Sequence, residues 1–268
     1  MCGRYASTTT DADLVNAFAV AETVGEQLPP SWNVAPTQQV RVVLDRAPRG
    51  QGADAPPAGA SPAEPAAEPV RQLRTVRWGL IPSWAKDARI GSRLVNARAE
   101  TITEKPAFKA AAARRRCLLP ADGYFEWEVR EGQKAKQPYF LHRGTSLLAF
   151  AGLYELWPDP AVDPDDPARW VWSCTVLTTT APDALGHIHD RSPVLLTPEL
   201  AGDWLDPTLT DPERVRELLA AVPEPRLEPT EVSTAVNNVR NNGPHLVRPL
   251  QPGADAPPVP AGAGGTAG

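Results

Sequence analysis

The sequence predicts an α+β fold, and three observations carry that expectation. Apolar and β-branched runs recur along the chain, as in residues 40–44 (VRVVL) and 147–154. The strands they imply are short and irregularly spaced, which suits an α+β arrangement better than a doubly wound sheet. Short helical segments with recognisable start signals stand among them.

From the N-terminus, Asp11 or Asp13 is placed to cap a short helix ending at Phe18. Residues 40–44 form a strand. In residues 47–70, 8 of 24 are Ala, 6 are Pro and 3 are Gly, which predicts a disordered insertion between strands. Residues 73–80 alternate weakly and read as a strand. Residues 97–103 and 107–113 look helical, broken at Pro106. Strands follow over 116–119, 123–129, 139–142, 147–154 and 170–178, with an exposed acidic loop at 158–169. A helical turn at 182–185, a strand at 193–196 and helices at 198–205 and 211–221 complete the order, the last capped by Asp211. Of the final 20 residues, 15 are Ala, Pro or Gly, so a disordered tail is expected from 250 to 268. The expected domain is therefore 2–249, interrupted by the insertion.

Composition narrows the function. No apolar run is long enough to span a membrane. MCGRYASTTTDADLV lacks the charged-then-apolar pattern of a secretory signal. Three cysteines, without a Cys-x-x-Cys, imply a reduced, cytoplasmic protein rather than a disulfide scaffold. The net charge of −5 hides an asymmetry, because residues 71–116 hold 12 Lys/Arg against 3 Asp/Glu. A basic stripe on an acidic body steers a polyanion to one face. Trp78 and Trp84 lie inside that stripe and Trp127 follows it. Basic grooves with stacking aromatics hold single strands.

Cys2 is the most reactive candidate. Once Met1 is removed, one residue carries both an α-amine, with a pKa near about 7.7–8.0, and a thiol near about 8.5. Such a 1,2-aminothiol condenses with an aldehyde to an imine, and the thiol then closes on the same carbon to give a thiazolidine. Gly3 allows close backbone approach and Arg4 suits a phosphate. His187-Ile188-His189 lacks further ligands nearby, so no metal and no cofactor is expected.

Further motifs follow: Trp32-Asn33-Val34-Ala35-Pro36-Thr37, Trp78-Gly79-Leu80-Ile81-Pro82-Ser83-Trp84-Ala85-Lys86, Asn96-Ala97-Arg98-Ala99-Glu100-Thr101, Gly123-Tyr124-Phe125-Glu126-Trp127 and His189-Asp190-Arg191-Ser192-Pro193-Val194. With Cys2-Gly3-Arg4-Tyr5 ahead of them, they resemble in order and content the SRAP family, the SOS response-associated peptidases or abasic site processing proteins. The resemblance runs from Cys2 to about Pro249, through Val236-Asn237 and Asn241-Asn242-Gly243-Pro244, and leaves out both Ala/Pro-rich stretches. It implies a compact pseudo-barrel of antiparallel strands. It implies binding to single-stranded DNA and a covalent crosslink to abasic sites through Cys2, by a monomer that joins the nucleoid when bound.

By the same resemblance, Asn96 orients the sugar or the N-terminal group, Glu126 is the general acid/base, and His189 is the acid acting on the deoxyribose ring. Arg4 and Arg98 are expected phosphate ligands, with Arg77 beside them. Asn33, Trp78, Trp84 and Trp127 are expected along the strand's path. Ser192 departs from the family, where Met follows the Arg. Two other readings stay open: a thiol peptidase acting on its own N-terminus or on other proteins, and a non-covalent module for single-stranded nucleic acid.

Overall fold

A computed structural model describes residues 2–46, 68–132 and 135–250. Thirteen strands are present among them: β1 (Tyr5–Ser7), β2 (Glu22–Val24), β3 (Ser31–Val34), β4 (Gln39–Arg46), β5 (Val70–Trp78), β6 (Asn96–Arg98), β7 (Arg116–Ala121), β8 (Gly123–Glu128), β9 (Gln137–His142), β10 (Leu148–Pro158), β11 (Trp170–Thr180), β12 (Arg191–Pro193) and β13 (Glu228–Glu231). The helices are α1 (Asp11–Phe18), α2 (Lys109–Arg114), α3 (Asp183–Gly186), α4 (Pro198–Leu205) and α5 (Pro212–Ala220).

The centre is a closed ring of five strands in the order β4–β5–β11–β10–β7 and back to β4. Four of its seams are antiparallel, as expected. The fifth is parallel: Ser173 and Cys174 of β11 lie beside Arg77 and Trp78 of β5. Closure removes free edges from these strands. Alternation along each strand then sorts the side chains. Val40, Val42, Leu44, Val76, Trp78, Leu119, Phe150, Cys174 and Val176 share one buried cluster inside the ring. Their neighbours Val43, Leu73, Leu118, Leu153 and Leu177 belong to a second cluster, with Leu14 of α1, Ala112 of α2, Trp204 of α4 and Val215 of α5. A side chain at Gly152 would meet Leu119 Cδ1 at 2.4 Å and the Thr175 carbonyl at 2.9 Å, so only glycine fits there.

A second sheet, β13–β9–β8–β1–β3, is antiparallel throughout. Its Tyr5, Tyr124, Tyr139 and Leu141 join the ring's interior cluster. Its other face carries Ala6, Phe125 and Phe140, covered by Val232, Val236 and Leu246.

Most expected elements are present, with shifted ends. Thr10, not Asp11 or Asp13, caps α1, its side chain accepting from the Asp13 N–H. Asp211 caps α5 as expected. Two expectations fail. Residues 97–103 are not a helix: Asn96–Arg98 pairs in parallel with β11, and a 3-10 turn follows. Sheet pairing overrides the helix preference of the two alanines there. The strand expected at 193–196 comes earlier, at Arg191–Pro193, followed by an isolated bridge from Leu195 to Phe150. Of the Ala/Pro-rich insertion, residues 47–67 lie outside the described residues, as does the tail from 251.

Arg116 ties the ring to the helices. Only 2% exposed, it donates from Nε to the Trp204 carbonyl at 2.6 Å, from Nη1 to Ala112 at 2.7 Å, and from Nη2 to Asp206. Burial draws its pKa down to about 10. The carbonyls of Trp204 and Asp206 end α4 and have few other donors. Arg116→Leu takes this donor from the Trp204 and Ala112 carbonyls, at roughly 1–3 kcal/mol each when buried, while the Asp206 carbonyl keeps the Leu209 N–H. Urea unfolding is expected to show a loss of about 3 kcal/mol or more.

Candidate active site

The first residues of the chain extend β1. Tyr5 pairs with Tyr124, and the Phe125 N–H donates to the Arg4 carbonyl at 2.9 Å. Continuing that register brings Cys2 and Gly3 alongside Glu126 and Trp127. From the other sheet, Asn96 Nδ2 donates to the Cys2 carbonyl at 2.8 Å. The N-terminal segment thus bridges the two sheets. Asn96 Oδ1 is buried and accepts no hydrogen bond among the described residues.

Cys2 is fully buried, and its Sγ lies 4.0 Å from the Arg4 carbonyl oxygen. Burial, then the charge of Glu126, push its thiol well above the usual range. Glu126 is 3% exposed. Alternation along β8 turns Phe125 and Trp127 to the outer cluster and leaves Glu126 on the face of Tyr124. Burial lifts its carboxyl to about 7, against the pull of the amino terminus and Lys136, with Asp190 adding to the rise. At neutral pH it both gives and takes a proton.

His189 stands in the turn after α3, held by Leu185 and Ile188, which share the buried cluster of Cys2. Burial, followed by the charge of the amino terminus, lowers its pKa below 6.5. The neutral ring accepts the Arg191 N–H at Nδ1, 3.0 Å away, which puts its proton on Nε2. Asp190 Oδ1 lies 2.9 Å from the same Nδ1 and receives it when the ring is charged. Tyr124, on the face of Glu126, and Leu185 and Ile188, which hold His189, share one buried cluster with Cys2, so the two groups face one space.

Sequence reasoning missed the brace that fixes this space. Arg191 forks onto both oxygens of Glu100, at 2.7 and 2.9 Å, and reaches the Thr178 carbonyl at 2.5 Å. The pair locks the turn carrying His189 to the turn after Asn96. Both residues lay inside quoted motifs, which was the only available signal. Ser192, buried, pairs its hydroxyl with that of Tyr124 at 3.1 Å, so the polar group is satisfied.

The expected DNA ligands divide. Trp84 is 59% exposed and lines an open cavity of about 700 Å³ with Lys86, Asp87, Arg89, Ile90 and Arg93. Its loop is fastened by Trp157 Nε1 to the Ala85 carbonyl at 2.7 Å and by the Ile81 N–H to Ser173 Oγ at 2.8 Å. Gly79, at φ +120°, crosses Gly91 so closely that a side chain would sit 2.6 Å from the Gly91 carbonyl oxygen. That loop ends directly in Asn96. Arg98 is exposed, two residues on from Asn96 and so on the same face of β6.

Others have different work. Trp78 is fully buried, donates from Nε1 to Val95 at 2.9 Å and packs edge-on against Tyr5. It is a core residue with no surface for a base, contrary to expectation. Asn33, 2% exposed, donates to the carbonyls of Val236, Asn238 and Asn241 and accepts from Arg4. It is a clasp for the segment after β13, with its amide already committed to those bonds. Arg4 spends Nη1 on Asn33 and on Val236, both at 2.8 Å. Trp127 is half-buried, tied to Asn237 at 2.7 Å with Arg4 over its ring. Arg77 is half-buried on β5, beside Ser173 of β11.

The sequence matches the family model described as SOS response associated peptidase (SRAP) over residues 1–239. The chain belongs to the SRAP family. YoqW of Bacillus subtilis (strain 168), named an abasic site processing protein, is 36% identical to the SRAP chain over 249 residues, which are 92% of this chain and 99% of that protein. HMCES of Gallus gallus, also named an abasic site processing protein, is 29% identical over 287 residues, 94% of this chain and 79% of that one. A crystal structure of a protein from Bacteroides thetaiotaomicron shares the SRAP chain's fold, with a TM-score of 0.72 at 21% identity over 93% of this chain and 100% of that one. No helix among the described residues is long and apolar enough to cross a membrane, and no group of three or more His, Cys, Asp or Glu among them is placed to hold a metal.

Glu126 also sets a pH-dependent cost. Its folded pKa lies above its ordinary 4.5, so the fold disfavours its ionised form. The cost is absent below about 4.5, grows as the pH rises, and is complete above about 7. Glu126→Gln is therefore expected to raise the Tm by several degrees at pH 8 and to leave it nearly unchanged at pH 4.5, read by calorimetry.

Proposed function

We propose that the chain processes abasic sites in single-stranded DNA by capturing them as a thiazolidine through Cys2, after Met1 is removed. The observation that carries this reading is the clamp on Cys2, whose carbonyl is held by Asn96 beside a buried Glu126 poised near neutrality. The names of the relatives point to the same substrate.

The chemistry runs through this chain's own groups. The abasic sugar is mostly a closed hemiacetal. His189 Nε2–H gives a proton to the ring oxygen while the C1′ hydroxyl gives its proton to water, and the ring opens to the aldehyde. The Cys2 amine adds to C1′, and Glu126 moves a proton from nitrogen to the carbinolamine oxygen, which leaves as water. The thiol then adds across the C=N bond, its sulfur to carbon and its proton to nitrogen, and closes the five-membered ring. Asn96 Oδ1 offers the amine an acceptor without a charge. Trp84, Lys86, Arg89, Arg93 and Arg98 supply the cationic, aromatic track on which a single strand lies.

The test is a denaturing gel of purified protein with a labelled single strand carrying one abasic site, beside an undamaged strand. A heat-stable shifted band on the damaged strand alone is the expected result. Salt-sensitive binding equal on both strands, with no such band, replaces the reading with a non-covalent module. Intact mass decides the peptidase reading in the same experiment: Met1 retained in Glu126→Gln but lost in wild type means the chain cleaves its own N-terminus.

A further inference from the structure

The cations around Cys2 differ in what they already hold. Arg4 is bonded to Asn33 and Val236, Arg191 to Glu100, and Arg130 to Glu128 and Glu231 at 2.6 Å each. Arg98 on β6 and Lys136 before β9 are exposed, and neither side chain makes a hydrogen bond or ion pair among the described residues. They belong to different sheets, and the Cys2–Arg4 segment runs between them, bonded to Asn96 on one side and to Phe125 on the other.

Register places Lys136. Glu126 pairs with Tyr139 and Glu128 with Gln137, so Lys136 sits just past the end of the ladder. Its Cα is about 10 Å along the strand from the residue facing Glu126. A lysine's four-carbon stem spans most of that gap. Its charge acts on both Glu126 and His189, which agrees with an ammonium at the mouth of their shared space. Sequence reading passed over it because it lies outside the motifs and outside the basic stretch.

A nucleotide inside a strand carries a phosphate on each side, so a site that takes the sugar between two cations can grip both. Resting on the abasic-site reading above, we propose that Lys136 holds the backbone phosphate on the opposite side of the abasic residue from Arg98. The pair then sets the sugar's position along the strand before any bond forms. A compact ammonium suits one phosphate as a point charge.

The test separates this from the covalent chemistry by using a strand with a tetrahydrofuran abasic analogue, which has no aldehyde. Lys136→Ala is expected to weaken binding about threefold to tenfold and to lower the salt slope by about 0.7, the share of one contact on a single strand. Lys136→Arg restores both. With a neutral methylphosphonate at one flanking linkage, wild type and Lys136→Ala are expected to bind equally while Arg98→Ala still weakens binding. With the other linkage neutral, the two variants exchange behaviour. Binding by Lys136→Ala equal to wild type on the all-phosphate strand overturns the proposal. So does the same loss whichever linkage is neutral. Failure of wild type to crosslink a natural abasic strand sinks the capture reading alone, because the tetrahydrofuran binding result stands without it.

Discussion

Cys2→Ala, with its N-terminus confirmed by mass, is expected to give no heat-stable band on an abasic strand, a fall of about a hundredfold or more against wild type. The variant keeps the α-amine and loses the thiol. It therefore still forms an imine, which hydrolyses on heating but which borohydride fixes as a secondary amine. A band that appears only with borohydride shows the amine acting first and the thiol sealing the product. A heat-stable band in Cys2→Ala without reductant means another residue makes the bond. Because Asn96 holds the Cys2 carbonyl and not its side chain, the substitution leaves that anchor in place.

Glu126→Gln is expected to slow crosslinking by about a hundredfold or more, within the usual range for losing a positioned acid/base. The form of the pH profile is more telling than the size. A carboxyl near 7 serves as base above that pH and as acid below it, so the wild-type rate is expected to peak near neutrality. In Glu126→Gln the rate follows the amine alone and rises with pH. Rates within threefold of wild type from pH 6 to 9 would remove Glu126 from the mechanism. The thermal gain expected for the same variant makes the two effects opposite in sign, as for a residue kept for chemistry at the expense of stability.

The long ring strands were legible because runs of apolar and β-branched residues four or more long leave few other readings, as in β4 and β10. Five strands escaped: β1, β2, β3, β6 and β13, each three or four residues long. Three residues carry no period, and β6 forms only because β11 is already there to pair with it. Glu126 and His189 were singled out through their motifs. Their surroundings were not legible. Trp78 looked like a stacking residue because it lies inside the basic stretch, yet it is fully buried beside Val76 in the ring's interior. Its alternation with Val76 could have placed it inside the ring. Nothing in the sequence announced that Asn33 spends its amide on three carbonyls more than 200 positions away.

The burial of the Cys2 sulfur has a consequence for the cell. An aminothiol free in water condenses with almost any small aldehyde, and metabolism supplies many. Here the sulfur is walled in beside Tyr5 and Tyr124. A small neutral aldehyde has no charged handle with which to be seated there. Under the proposed capture, a DNA strand brings its phosphates to the rim and its sugar to the wall. On that reading the protein is guarded against being used up by such carbonyls: docking admits the substrate, and only then does reactivity count.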